Sequence, residues 1–286
     1  MKILMVGDLH GRNEIVANID QWAIRNEIEL VVQCGDFGVH WPGVECRISK
    51  YFQDNKEGPP WLVALGNHDN YDKFRLKALP AKDYEFPSCF KVEDPLSDIE
   101  KIGARCYLLG RNTVVTLEDL YRSRLLFFGG AVSTDAHHRV QGKSWWPEEA
   151  PTYSEFARFF NLLQERIDIV ITHDRPLLDA FKGEFEPAKN DISKLPVDYV
   201  AKTLREVIEQ LVSSKQLSAW GWFHGHIHEI RKTNDFGVTF YGTGYHGSGW
   251  FLDTDIGIPP THYFNVNAAT KTKVLPYSKI ISQGDW

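Results

Sequence analysis

Cysteine is scarce in this chain of 286 residues. The four present, Cys34, Cys46, Cys89 and Cys106, show none of the close pairing of a zinc ribbon or a thioredoxin-like motif. Cys34 stands in an apolar run and reads as a small core residue, so a reducing, cytoplasmic setting is expected. Long hydrophobic runs are missing too. The opening stretch from Met1 to Val6 is apolar, but it meets Gly7-Asp8 where a signal peptide would still need hydrophobic residues. No later run approaches the length of a membrane span, so no membrane partner is expected. Basic excess is also lacking: 32 Lys and Arg against 38 Asp and Glu give a net charge of -6, which argues against non-specific duplex DNA binding. The chain has no internal repeat, low-complexity tract or clear linker, and one domain over residues 1–286 is the expectation. A hydrophobic content of 43% with 24% charged residues describes an ordinary globule, neither disordered nor membranous.

What the chain does have is histidine in one place. His224, His226 and His228 fall at alternate positions in WFHGHIH, directly behind the apolar run from Ala219 to Phe223. Neutral imidazole is the commonest metal ligand, and a strand running into a Gly-containing loop can turn alternate side chains toward one point.

The same grammar recurs along the chain. Ile3 to Val6 reads as a buried strand ending in GDLHG, Leu30 to Gln33 as a second ending in CGDFG, and Trp61 to Leu65 as a third ending in GNHDN. A fourth, Asp168 to Ile171, runs into THDRP. Short apolar strands that each end beside a potential ligand are the pattern of an α/β sheet whose site lies at the strands' carboxyl ends. Helices are expected at Glu14 to Arg25, Tyr153 to Arg166 and Val197 to Val212, each with one apolar face. Thr113 to Leu117 and Leu125 to Phe128 suggest a second sheet, with further strands at Val238 to Tyr241, Tyr263 to Val266 and Lys273 to Leu275. Periodicity fails between Tyr71 and Tyr107, and a polar loop follows Gly129-Gly130. Residues 71–107 and 131–151 are therefore expected as cap or lid segments near the site. Pro187 to Pro196 reads as another loop.

The strand ends collect Asp8, His10, Asp36, Asn67, His68, His173, His226 and His228. Carboxylates, imidazoles and one amide, without thiolates, suit Mn, Fe, Zn, Co or Ni. The set exceeds what one tetrahedral zinc would use, so two metals sharing a carboxylate account for it better.

At this point the chain resembles the calcineurin-like metallophosphoesterases. The resemblance rests on five ordered blocks: Asp8-Leu9-His10, Gly35-Asp36, Gly66-Asn67-His68-Asp69, the lone His173, and Gly225-His226-Ile227-His228. It implies a four-layer αββα sandwich with two mixed β-sheets. It also implies two divalent metal ions, Mn first among them, with Asp8, His10 and His228 on one, Asn67, His173 and His226 on the other, and Asp36 between. By the same resemblance a hydroxide bridging the pair attacks a phosphate ester, and His68 protonates the leaving oxygen.

One departure bears on substrate. Asp36 is followed by Phe37-Gly38-Val39-His40, so the V-D-R-G block of the family's serine/threonine protein phosphatases is absent, and with it their arginine. Arg12, Arg139 and Arg175 are the alternatives. The expected activity is phosphoesterase, leaning to phosphodiester or nucleotide-type substrates over a phosphomonoester or phosphoprotein. A metal-binding scaffold without catalysis and a mononuclear zinc hydrolase are the competing readings; no ligand is missing for the first, and the second leaves the Gly-Asp blocks and Asn67 unexplained.

Overall fold

A computed structural model describes residues 1–41, 45–178, 198–245 and 247–253, and the backbone of two further strands at 257–265 and 273–276. In chain order the elements are β1 (Lys2–Val6), α1 (Asn13–Arg25), β2 (Leu30–Gln33), α2 (Glu45–Asp54), β3 (Trp61–Ala64), α3 (Tyr71–Lys77), β4 (Leu79–Pro80), β5 (Phe90–Val92), β6 (Asp98–Ile102) and β7 (Cys106–Leu109). They continue as β8 (Thr113–Leu117), β9 (Ser123–Phe128), α4 (Tyr153–Leu163), β10 (Ile169–Thr172), α5 (Tyr199–Ser213), β11 (Gly221–His224), β12 (Arg231–Asp235), β13 (Val238–Gly242), β14 (Ser248–Asp253), β15 (Gly257–Asn265) and β16 (Lys273–Pro276).

Among the described residues these strands form a nine-stranded sheet, β16-β15-β14-β1-β2-β3-β7-β6-β4, and a seven-stranded sheet, β12-β13-β11-β10-β9-β8-β5. Each has a parallel centre, β1-β2-β3-β7 in one and β9-β10-β11-β13 in the other, with antiparallel strands at its flanks. Strand alternation then sorts the apolar side chains into layers. Met5, Val32 and Leu62 of the first sheet meet Phe127, Ile171 and Phe223 of the second in a shared central core. The opposite face of the first sheet, with Leu4, Val31 and Val63, packs on Ile15, Ile19 and Trp22 of α1 and on Phe52 of α2. Leu126, Val170 and Trp222 on the outside of the second sheet pack on Phe159 of α4 and Leu204 and Ile208 of α5. The order helix, sheet, sheet, helix is the four-layer αββα arrangement with two mixed sheets.

Local signals explain the helices. The apolar positions of α1 and α5 recur at three- and four-residue spacing, which makes one face of each apolar. At the start of α4, Thr152 and Glu155 form a capping box that satisfies first-turn N–H groups. Under α1, the Asp20 carboxylate is buried and accepts from Arg105 Nη1 at 2.7 Å, Arg105 Nη2, Tyr51 OH at 2.8 Å and Trp61 Nε1 at 3.1 Å.

The stretch from residue 71 to 107 differs from its reading as an irregular excursion. It contains α3 and four strands, of which β4, β6 and β7 extend the first sheet and β5 the second. Its elements are short, and α3 buries only Tyr71 and Phe74, too few for a period to show. The loop read at 187–196 and His246 lie outside the described residues. Among the described residues, no helix is long and apolar enough to cross a membrane.

Candidate metal centre

The parallel strands β1, β2 and β3 of one sheet and β10 and β11 of the other release their carboxyl ends on the same side of the molecule, and hydrogen bonds tie these ends together. Cys34 N donates to Val6 O, Asp8 N to Gly35 O and His10 N to Asp36 O, so the β1–β2 pairing continues into the loops. Gly225 N donates to His173 O across the second sheet, and His226 N donates to Asp8 Oδ1 at 2.9 Å, bridging the two sheets.

This convergence demands unusual backbone. Asp8, His10, Asp36, His226 and His228 all have positive φ, between 46° and 66°. Left-handed conformations cost non-glycine residues energy and persist where the surroundings enforce them, typically at functional sites. Glycines make the room. At Gly66 a Cβ would overlap Asp36, and at Gly35, where φ is 95°, it would overlap the His173 ring.

All eight residues drawn from the sequence meet here. Asp8, His10, Asp36 and His228 each offer one ligand atom, and those atoms lie within 4.8 Å of one another. His10 Nε2 is 3.1 Å from His228 Nε2 and 3.6 Å from Asp36 Oδ2, and His228 Nε2 is 3.5 Å from Asp8 Oδ1. On the other side of Asp36, His173 Nε2 lies 3.2 Å from Asp36 Oδ1 and 2.8 Å from Asn67 Oδ1, and the His226 ring stands 5.1 Å from the His173 ring. His68 donates its backbone N–H to Asp36 Oδ1 at 2.7 Å and sets its ring 4.8 Å from that of His10.

The donor set fits cations. Asp8 Oδ2 is buried with no hydrogen-bond partner, a costly condition for a carboxylate oxygen. His173 Nδ1 lies 2.9 Å from the Cys34 carbonyl, which can only accept, so in the neutral ring the proton sits on Nδ1. Its Nε2 lone pair then faces two further acceptors, the oxygens of Asp36 and Asn67. When that ring gives up its second proton, three lone pairs converge on one point, an arrangement that a positive ion stabilises.

Charge follows the same logic. Burial pushes His10 and His228 down to about 4 and His226 well below the usual imidazole range, so all three are neutral, the form that binds metal. Burial opposes a charge on His173 as well, but the Asp36 and Asp8 carboxylates outweigh it and carry His173 up to about 10. Burial also raises Asp8, whereas His173 and the neighbouring histidines overcome burial at Asp36 and hold it low. His68 is lowered by burial, with Arg139 adding to the effect and Asp36 opposing it.

Other residues around the centre carry no ligand motif. Asp69 is buried and accepts from Gly38 N at 2.6 Å, Gly66 N at 2.7 Å and Phe37 N at 3.3 Å, so it clamps the β2 and β3 loops together. Tyr245 stacks on His228 with ring centroids 4.2 Å apart and meets the His10 ring at 5.3 Å. Trp41 lies 5.2 Å from the His68 ring. Of the three arginines considered, Arg175 is buried, Arg12 is exposed over Tyr245, and Arg139 donates to Asn67 O, Ser133 Oγ, His68 and Asp135. His40 is paired with Glu100 at 2.6 Å, and Trp145 and Trp146 are buried, pinning the 131–151 loop to the body. His137 and His138 are exposed.

The sequence model of the calcineurin-like phosphoesterase family matches residues 1–230, and the chain belongs to that family. No curated protein matches it in sequence. Solved structures share the fold at low identity. The protein TT1561 of Thermus thermophilus aligns over 96% of this chain and 98% of its own, with 12% identity and a TM-score of 0.52. GAP50, the anchor in the inner membrane complex of Plasmodium, aligns over 96% and 88%, with 10% identity and a TM-score of 0.50.

Proposed function

We propose that the chain is a dinuclear, divalent-metal-dependent phosphoesterase. Asp8, His10 and His228 hold one ion, Asn67, His173 and His226 hold the other, and Asp36 serves both. The observation that carries this reading is the convergence of imidazole, amide and carboxylate donors around Asp36, with Asp8 Oδ2 left unpartnered in a buried position. When bound, two such ions supply Lewis acidity to a phosphate ester and make water acidic enough to react near neutral pH. Manganese is the first choice because the family resemblance implies it, and the donor type suits Fe, Zn, Co and Ni as well.

The remaining work falls to side chains of this protein. His68 delivers a proton to the departing oxygen, a role its place beside Asp36 and His10 permits. Arg12 is the arginine best placed to meet a phosphate, because it is exposed beside Tyr245 while the donors of Arg139 are engaged. Tyr245 and Arg12 form an aromatic and cationic wall on the His10 side. That wall, together with the absent V-D-R-G arginine, favours a phosphodiester or nucleotide-type ester over a phosphoprotein.

The test is reconstitution. Protein stripped with chelator should lose hydrolysis of bis(p-nitrophenyl) phosphate and regain it with Mn²⁺, at two ions per chain by elemental analysis. Wild-type metal content without turnover of any ester in a panel of mono- and diesters, nucleotides and phosphopeptides would establish the scaffold reading. In the same panel, Arg12→Ala should raise KM more than it lowers kcat.

A further inference from the structure

Ser133 and Glu149 belong to no sequence block, yet an unbroken hydrogen-bonded chain joins them to Asn67. Asn67 Nδ2 donates to Ser133 Oγ at 2.9 Å, and Arg139 Nη1 donates to the same oxygen at 3.1 Å. Ser133 Oγ donates to Glu149 Oε2 at 2.7 Å, and the second Glu149 oxygen accepts the Ser133 backbone N–H at 2.6 Å. Ser133 and Glu149 are 2% and 1% exposed, so bulk water does not compete for these bonds.

Burial raises the Glu149 carboxyl to about 7, and once it is ionised the polarity of this network is fixed. A hydroxyl has one proton and two acceptor lone pairs, and a guanidinium has only donors. Arg139 therefore occupies one lone pair of Ser133 Oγ, and the carboxylate of Glu149 takes the proton. The lone pair left over faces Asn67 and can accept only an N–H. The Asn67 amide must then turn its NH2 toward Ser133 and its carbonyl oxygen the opposite way, where Oδ1 lies 2.8 Å from His173 Nε2. A flipped amide would set its oxygen against a lone pair of Ser133 and aim two N–H groups at the cluster of donors. Such a group repels a cation.

We propose that Ser133 and Glu149 are positioning residues that fix the orientation of the Asn67 amide, so that its carbonyl oxygen faces the divalent ion shared with His173 and His226. The inference rests on the assignment of Asn67 as a ligand. Partners of this kind orient ligands and typically contribute about 10- to 100-fold in metal affinity.

The experiment exploits the symmetry of a carboxylate. Aspartate at position 67 presents oxygen in either orientation and has no need of Ser133. Mn²⁺ affinity and stoichiometry, by calorimetry and elemental analysis, are measured for wild type, Ser133→Ala, Ser133→Thr, Asn67→Asp, Asn67→Ala and the Asn67→Asp/Ser133→Ala double variant. Circular dichroism checks that each is folded. Ser133→Ala should weaken the second ion by about 10- to 100-fold and give the electron paramagnetic resonance signal of an isolated Mn²⁺ in place of a coupled pair. Ser133→Thr should restore binding, and Ser133→Ala should have no effect once residue 67 is aspartate. Glu149→Gln, isosteric and uncharged, supplies a second variant: its NH2 would donate to Ser133 Oγ and reverse the polarity, reproducing the loss. Equal loss from Ser133→Ala in the asparagine and aspartate backgrounds would overturn the proposal, since a merely structural serine has no reason to spare aspartate. Asn67→Ala with wild-type affinity for both ions would overturn the ligand assignment itself, and this proposal with it.

Discussion

Gly66→Ala is the smallest change that should dismantle the centre. A Cβ at residue 66 would stand 2.9 Å from Asp36 Cγ, and closer still to Asp36 Oδ1 and Asp36 N. Carbon and oxygen normally approach no nearer than about 3.3 Å, so the Asp36 oxygen must retreat by about 1 Å. Rotating the Asp36 side chain does not relieve the contact with its backbone nitrogen. The whole β2 loop must shift, and Asp36 already has a φ of 58° that its surroundings enforce. Overpacking of this sort costs about 1–3 kcal/mol of stability, which a folded protein survives. The functional cost is larger, because a displacement of about 1 Å in a catalytic group lowers rates by about 10²-fold. The retreat also strains the bond from His68 N to Asp36 Oδ1. The assay pairs thermal unfolding with Mn²⁺ stoichiometry and bis(p-nitrophenyl) phosphate turnover. Gly7→Ala is the control, since the obstacle there is the Thr243 hydroxyl, which can move by giving up its bond to His224 O, while the nearest backbone atom is Gly225 Cα at 3.6 Å. A Gly66→Ala protein with wild-type metal content and rate would refute the reasoning, as would a Gly7→Ala protein damaged equally.

Two further outcomes follow from charge and burial. His173 carries a proton up to about pH 10 in the metal-free protein, so Mn²⁺ binding near pH 8 should release about one proton and strengthen as pH rises toward that value. Calorimetry in buffers of different ionisation enthalpy reads the proton directly, and metal binding without proton release would contradict it. Asp20→Ala would leave the buried Arg105 guanidinium without its carboxylate, at a cost of about 3–5 kcal/mol in urea unfolding. A loss below about 1 kcal/mol would show the pair behaving like a surface one.

The candidate ligands were legible because they follow buried strands whose apolar runs are visible in the chain: Val6 before Gly7-Asp8, Gln33 before Gly35-Asp36, Leu65 before Gly66-Asn67. The residues packed and hydrogen-bonded around those candidates were not. Asp69 stood in plain view inside GNHDN, but its task is to accept three backbone N–H groups from two loops, a relation that exists only after folding. Ser133, Glu149 and Tyr245 reach the centre through packing of distant segments, and no local period marks them. Of the missed elements, β12 is RKTND, with no buried position among its five residues and hence no alternation to detect. The helix α3 shows only two buried residues, and β7 is an apolar run of four inside a stretch whose prolines and charges suggested a loop.

The strand that carries Asp8 has an unusual schedule. Its neighbour β2 follows at once, but its other neighbour is β14, paired from Lys2 with Asp253 to Val6 with Gly249. That partner lies beyond residue 230, where the family match ends. A fragment cut at that boundary would keep every proposed ligand and still present the bare edge of β1, with the N–H and C=O groups of alternate residues unpaired. Synthesis imposes the same state on the intact chain. At about 5–20 residues per second, the ribosome needs on the order of tens of seconds to travel from β1 to β14. During that interval the growing chain holds Asp8 on a half-paired strand, and the exposed edge is open to pairing with another molecule until residues 248–253 emerge and close it.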